Sequence, residues 1–245
     1  MIPRLYCHGE LGVGRTLALP DKSAHHARDV LRLGSGAEIT LLNGLGGEYK
    51  ACLATVTKRG VEVEVLEFRT REAEAPYPVS IAQSLAGGDR MDWVVEKSVE
   101  LGAAAIVPLA ASRSVLRLNP ERAAKRLEHW RAIAQSACEQ CGRNRIPGIA
   151  PVVLIDQWLA SIRGQAGLKL MLSPVHPTTF SSLSKPAAGT PVTLLIGPEA
   201  GLSDTEEALA QSAGFQAILL GPRVMRTETA ALAALAAIHA RWGDF

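Results

Sequence analysis

The sequence predicts a two-part α/β protein: a small β-rich N-terminal domain, then a larger domain built on a parallel sheet with crossover helices. Three observations carry this prediction. Up to about residue 70 apolar and polar side chains alternate with a period of two. A charged stretch with two prolines, residues 69–78, then breaks the alternation as a linker would. Beyond it, short apolar runs alternate with helical segments, the order of a parallel sheet. A length of 245 residues accommodates two domains of this kind.

In the first domain, residues 38–42, 49–56 and 61–68 read as strands. Asn43-Gly44-Leu45-Gly46-Gly47 and Arg59-Gly60 fall between them, where hairpins call for positive φ. A helix over 23–33 has Ala27, Val30, Leu31 and Leu33 as its apolar stripe, and one of His25 and His26 is expected to face the core. The expected product is a small half-open β-barrel with one helix.

In the second domain the expected strands are 79–85, 105–109, 168–172, 192–196 and 217–220. Asn119-Pro120 sets an N-cap before a proline at the first helical position, opening a helix that runs to Cys141. Ser203 and Glu206 have the spacing of a capping box, and Gly214 ends that helix. A last helix starts near Thr227 and is rich in alanine, so it can pack closely against a neighbour.

Composition removes several classes. The longest unbroken apolar run, residues 230–238, is far short of the ~20 that a membrane helix needs. The opening MIPRLYCHGELG lacks the apolar core of a secretory signal, so a cytoplasmic location is expected. With 26 basic and 24 acidic residues the net charge is only +2, which excludes a protein coated in positive charge. The excess is local: residues 113–145 hold eight basic side chains against three acidic ones. Such a run is either a solvated helix face or a phosphate-binding surface. Cys138 and Cys141 lie one helical turn apart, but no further soft ligands follow at metal-site spacing. Two small buried thiols are the expected reading, a redox pair the alternative, and no metal is expected; the histidines show no HExxH spacing either.

Two loops stand out as chemistry. Ile196-Gly197-Pro198-Glu199-Ala200-Gly201 and Leu220-Gly221-Pro222-Arg223-Val224-Met225-Arg226-Thr227-Glu228 each place Gly-Pro just past the carboxyl end of an apolar strand. In open α/β sheets that rim is where ligands bind. A third strand end, Leu172-Ser173-Pro174, repeats the arrangement. None fits a phosphate loop or the GxGxxG fingerprint.

With LLIGPEAGLSDTE followed by LGPRVMRTETAALAAL, the chain resembles the ribosomal RNA small-subunit methyltransferase E family, in the SPOUT class of methyltransferases. His25-His26 with Val30-Leu31-Arg32, the glycine-rich turn before Glu48-Tyr49, Gly88-Asp89-Arg90-Met91-Asp92 with Glu96-Lys97 and Glu100-Leu101-Gly102, and Glu139-Gln140 with Gly142-Arg143 extend the resemblance along the whole chain.

The resemblance implies a PUA-like β-barrel RNA-binding domain over 1–72 and, over 73–245, a SPOUT methyltransferase domain whose chain threads its own loop in a trefoil knot. It further implies methyl transfer from S-adenosylmethionine to N3 of one uridine in 16S ribosomal RNA of the small subunit, by a homodimer. Carried over, the cofactor loops comprise Leu172, Ser173, Ile196, Gly197, Pro198, Glu199, Gly201, Leu220, Gly221, Val224, Met225, Arg226 and Thr227. Expected RNA contacts are Arg4, Arg32, Arg90, Arg113, Arg143 and Arg145. The chain departs from the family pattern at Ala200 and at Gly87, where relatives commonly carry glycine and lysine; Ala200 is acceptable if its φ is negative.

Transfer from a sulfonium requires alignment and stabilisation of the anion that forms as N3 loses its proton. Arg226 is the candidate for that stabilisation, with Glu228 expected to orient it or simply to favour the helix N-terminus. The alternatives are a SPOUT enzyme acting on another RNA or atom, and a non-enzymatic RNA-binding protein of ribosome assembly.

Overall fold

The computed structural model describes residues 2–174 and 178–245 and divides the chain into two compact units. Residues 1–74 and 135–146 form the first, 75–134 and 147–245 the second. The first unit therefore includes a later segment that nothing in the sequence pattern assigns to it.

The first unit is a five-stranded sheet of β1 (Arg4–Tyr6), β2 (Thr16–Ala18), β3 (Glu38–Leu42), β4 (Glu48–Thr57) and β5 (Gly60–Arg69), in the order β1-β3-β4-β5-β2. Along β5, Val61, Val63 and Val65 are buried while Glu62 and Glu64 are exposed, the alternation of a strand with one face on a core. Those valines pack with Leu5, Ile39, Leu41 and Leu53 and with Ala24 and Ala27 of the helix.

Three features differ from the sequence reading. The helix runs α1 (Asp21–His25) into a π-helical turn, His26–Val30, that shifts the angular spacing, so Ala24 and Ala27 face the core while Val30 and Leu31 are exposed. His25 and His26 both lie on the exposed face; His25 Nδ1 meets Asp29 Oδ2 at 2.6 Å. Arg32 then takes a left-handed φ of 54°, closing the turn with Leu33 N–H donating to Ala27 O. Gly44, Gly46 and Gly47 have positive φ as expected, but Gly60 does not. The Thr57 hydroxyl accepts from Arg59 N–H and donates to Gly60 O, holding the β4–β5 turn without a left-handed residue.

The second unit is a parallel sheet of β6 (Val79–Ser84), β7 (Ala105–Ala110), β8 (Gly148–Ile149), β9 (Val153–Leu154), β10 (Leu168–Leu172), β11 (Val192–Ile196) and β12 (Gln216–Ile218), ordered β12-β10-β11-β6-β7-β8 with β9 also on β7. Its central strands bury consecutive residues, as in Leu194-Leu195-Ile196, because helices cover both faces. The helices are α2 (Arg90–Glu100), α3 (Pro120–Cys141), α4 (Ile155–Ser161), α5 (Asp204–Ser212) and α6 (Thr227–Trp242). The segment of α3 from 135 onward counts with the first unit. Asn119 Oδ1 accepts from Arg122 N–H at 2.8 Å and caps α3 where the Asn-Pro pair predicts.

The capping box at α5 extends beyond its own helix. Ser203 Oγ accepts from Glu206 N–H, and Glu206 Oε2 accepts from Ser203 N–H, while Glu206 Oε1 accepts from Ser112 N–H at 2.7 Å. Burial alone would raise the Glu206 carboxyl, but the Ser112 and Ser203 donors outweigh it and hold it below the ordinary carboxylate range. A lowered folded value means stabilisation present above the unfolded value and lost as pH falls through the folded one. Glu206→Gln is therefore expected to lower stability by about 1–2 kcal/mol at pH 7, with the gap from wild type closing below about pH 4.3, read by thermal unfolding across pH. A gap independent of pH would contradict this.

Candidate active site

The strand ends converge on a cavity of about 460 Å³ in the second unit. It is lined by Leu172, Ser173 and Pro174 after β10, by Ile196, Gly197, Pro198, Glu199, Gly201 and Leu202 after β11, and by Ile218 to Thr227 after β12, Pro222 apart. Every residue assigned above to the cofactor loops lies on this wall. The sheet order explains the convergence, since β12, β10 and β11 are neighbours and parallel, so their carboxyl ends open on one edge.

Glycine shapes two of the loops. A Cβ on Gly197 would stand 3.0 Å from Leu202 N and 3.2 Å from Leu202 Cγ, so any side chain there pushes on the fold-back of the β11 loop. Gly201 takes φ 72°, and Ala200 is outside the left-handed region, so the alanine departure is accommodated.

Thr227, the first residue of α6, ties the walls together. Its hydroxyl donates to Gly197 O at 2.6 Å and accepts from Nε2 of Gln83, a fully buried side chain on β6. Gln83 carries no charge and sits in an apolar run, which is why the sequence pattern passes over it.

The charged groups form a different arrangement from the expected one. Arg90, at the start of α2, meets Glu199 Oε1 at 2.5 Å and lies 3.8 Å from Glu228 Oε1. Glu199 also accepts from Gly87 N–H. Burial raises the Glu199 carboxyl, but the Gly87 and Glu199 N–H groups and the Arg90 guanidinium hold it below the ordinary range. Glu228 thus faces Arg90, and among the described residues it makes no hydrogen bond or ion pair with Arg226. The other oxygen, Oε2, is buried and without a hydrogen-bond partner. Arg226 is the exposed N-cap of α6 on the cavity wall, and its guanidinium makes no hydrogen bond or ion pair among the described residues. Pro174, Leu202, Glu207, Ile218, Leu219, Arg223 and Ala230 also line the cavity; their proximity to the two Gly-Pro loops was the available signal.

The expected RNA-contacting arginines separate into classes. Arg4 is nearly buried and pairs with Glu48, and Arg143 is 3% exposed and pairs with Glu74 at 2.5 Å, so both serve the interior of the first unit. Burial raises the Glu48 carboxyl, but Arg4 and Arg71 overcome it and keep it below the ordinary range. Arg145 lies 3.4 Å from Glu72, and Arg113 donates to Leu202 O. Arg32 is exposed. Cys138 is buried, donates weakly to Arg145 O and has its thiol pushed up to about 12 chiefly by burial, which suits an inert core group. Among the described residues no group of three or more His, Cys, Asp or Glu could hold a metal, and no helix is long and apolar enough to cross a membrane.

The parallel sheet with its glycine-walled loops and the small β-domain before it each match a known RNA methyltransferase family model. A family model described as an RNA methyltransferase domain matches residues 73–239, and one described as an RNA methyltransferase PUA domain matches 19–66. The chain belongs to the ribosomal RNA small subunit methyltransferase E family, with the SPOUT sheet preceded by a PUA-like domain. It is 35% identical over 232 residues to the Bacillus subtilis member, covering 91% of this chain and 89% of that one. A Neisseria gonorrhoeae small subunit methyltransferase E, solved with S-adenosylmethionine, superposes with a TM-score of 0.92 at 40% identity over 100% of both chains. A Legionella pneumophila protein, also solved with that cofactor, gives 0.94 at 38% over 100% of both.

Proposed function

We propose that this chain transfers a methyl group from S-adenosylmethionine to N3 of one uridine in 16S ribosomal RNA of the small subunit. The observation that carries the reading is the cavity walled by three strand-end loops, with the unpartnered guanidinium of Arg226 on its wall. The residues fit the cofactor. Adenine has apolar faces and a hydrogen-bonding edge, matched by Leu172, Ile196, Ile218 and Leu220 set among backbone amides. The buried, unpaired Oε2 of Glu228 offers an acceptor for a hydroxyl or ammonium group.

When bound, S-adenosylmethionine supplies a methyl on a sulfonium, already activated for displacement. The remaining chemistry falls to the protein. Thr227 and Gln83 fix the β11 loop against α6, holding the wall in place. As the uracil imide gives its proton to water and N3 takes the methyl from the sulfonium, leaving the neutral thioether, Arg226 stabilises the negative charge that spreads onto O2 and O4. The strand order, with β10 between β11 and β12 and α6 returning to β6, supports the threaded chain of the SPOUT class. Exposed Trp93 on α2 and Val224 beside the cavity support a homodimer, testable by sedimentation.

Thr227→Val removes the hydroxyl and leaves Gln83 Nε2 and Gly197 O short of a partner. It is expected to weaken S-adenosylmethionine binding about tenfold by calorimetry. Unchanged affinity would remove this residue from the account.

A further inference from the structure

We infer that a second cavity in the same unit, a basic groove of about 420 Å³ along the first turns of α3, seats the phosphate backbone of the RNA substrate. This rests on the RNA methyltransferase reading. Arg122, Lys125, Arg126 and His129 stand at i, i+3, i+4 and i+7, so they share one face of α3, and Arg117 closes the groove from the preceding loop. Among the described residues no carboxylate lines it.

The cations of this groove are clustered on one helix face and mostly uncommitted, whereas five of the six expected RNA contacts are spoken for and the sixth, Arg32, belongs to the first unit. Arg4, Arg90, Arg143 and Arg145 are committed to carboxylates, and Arg113 to backbone carbonyls. The guanidiniums of Arg117 and Arg122 have no partner among the described residues. Among the described residues Lys125 pairs only with Glu121, both side chains 76% exposed, so water and phosphate compete easily for it. Asp92 holds His129 at 2.8 Å and stands 3.8 Å from Arg126, fixing the floor while the outer cations stay available. A line of charges one helical turn apart suits a linear polyanion better than a single ion.

The loop that leads into the groove runs beside the active site. Arg113, four residues before Arg117, donates to Leu202 O in the loop that walls the cofactor cavity. A Cβ on Gly87 would lie 4.0 Å from Val115 Cγ1 and 3.8 Å from Glu199 Oε1, so the loop leading into the groove runs beside the cavity's own carboxylate. A strand seated on Arg117 and Arg122 would lead its next nucleotides along that loop toward the cavity.

The test is the double variant Arg117→Ala/Arg122→Ala in the full chain, against deproteinised 16S ribosomal RNA and against intact small subunits. Affinity for both is expected to fall about tenfold near 0.15 M salt, with the log–log salt slope shallower by about 0.7–0.9 per cation removed. Calorimetric S-adenosylmethionine affinity and melting temperature should match wild type. Arg131→Ala, on the opposite face of α3, should change neither slope nor affinity. An unchanged slope and affinity in the double variant, with wild type binding and methylating the RNA, would overturn the groove and leave the enzyme reading standing. Wild type that neither binds nor methylates the RNA would instead overturn the reading beneath it. Loss on intact subunits with none on bare RNA would overturn the proposal by assigning the groove to a subunit protein.

Discussion

Arg226→Ala is expected to lower the rate of methyl transfer by about 10²–10³ while changing S-adenosylmethionine affinity little, because preorganised charge facing a developing anion acts in the transition state. Its exposed guanidinium, free of internal partners, makes no contribution to the fold that its loss would remove. Arg226→Lys should recover only part of the rate, since a point charge replaces a planar fork. Single-turnover kinetics with saturating cofactor separates the two effects. Full turnover in the alanine variant would sink the assigned role.

The second large effect is expected at Gly197. A Cβ there already crowds Leu202 N at 3.0 Å, and the branched side chain of valine adds atoms where the loop has no room. Gly197→Val should therefore displace the β11 loop and break the Thr227 link to Gly197 O, abolishing detectable S-adenosylmethionine binding by calorimetry. The sheet below, with Leu194 and Leu195 fully buried, should keep the variant folded, seen as retained helical and strand circular dichroism. Binding within about threefold of wild type, roughly 0.6 kcal/mol, would contradict the loop-closure argument.

The sequence exposes those features whose signals are local. Asn119-Pro120 marks the start of α3, and strands 168–172 and 192–196 are bounded by glycine and proline, so their limits agree with the structure. The cofactor-loop residues are legible for the same reason: each sits within a few positions of a strand end that the apolar run defines. What depends on distant partners is not legible. Arg143 looks like a free cation until Glu74, 69 positions away, is found beside it. β8 and β9, two residues each, are too short to show a period. Val30 and Leu31 extend a helical stripe on paper, and only the π-turn turns them to solvent.

The pairing of Arg90 with Glu199 and Glu228 also revises the charge logic of the site. Glu199 and Glu228, the two carboxylates on the loops flanking the cavity, both face one cation from α2, Arg90. That leaves Arg226, with Arg223 on the same loop, without an internal partner among the described residues, and of the two Arg226 is the one that caps α6 beside Thr227.

The central claim is that this cavity delivers a methyl group to a uracil nitrogen in small-subunit RNA. The direct measurement is incubation of purified protein with small subunits lacking the modification and methyl-labelled S-adenosylmethionine, followed by nucleoside mass spectrometry. One labelled methyl per subunit is expected, recovered as 3-methyluridine and formed about 10²–10³ times more slowly with Arg226→Ala. Label on a ribose hydroxyl or another base, or none on the RNA at all, would contradict it.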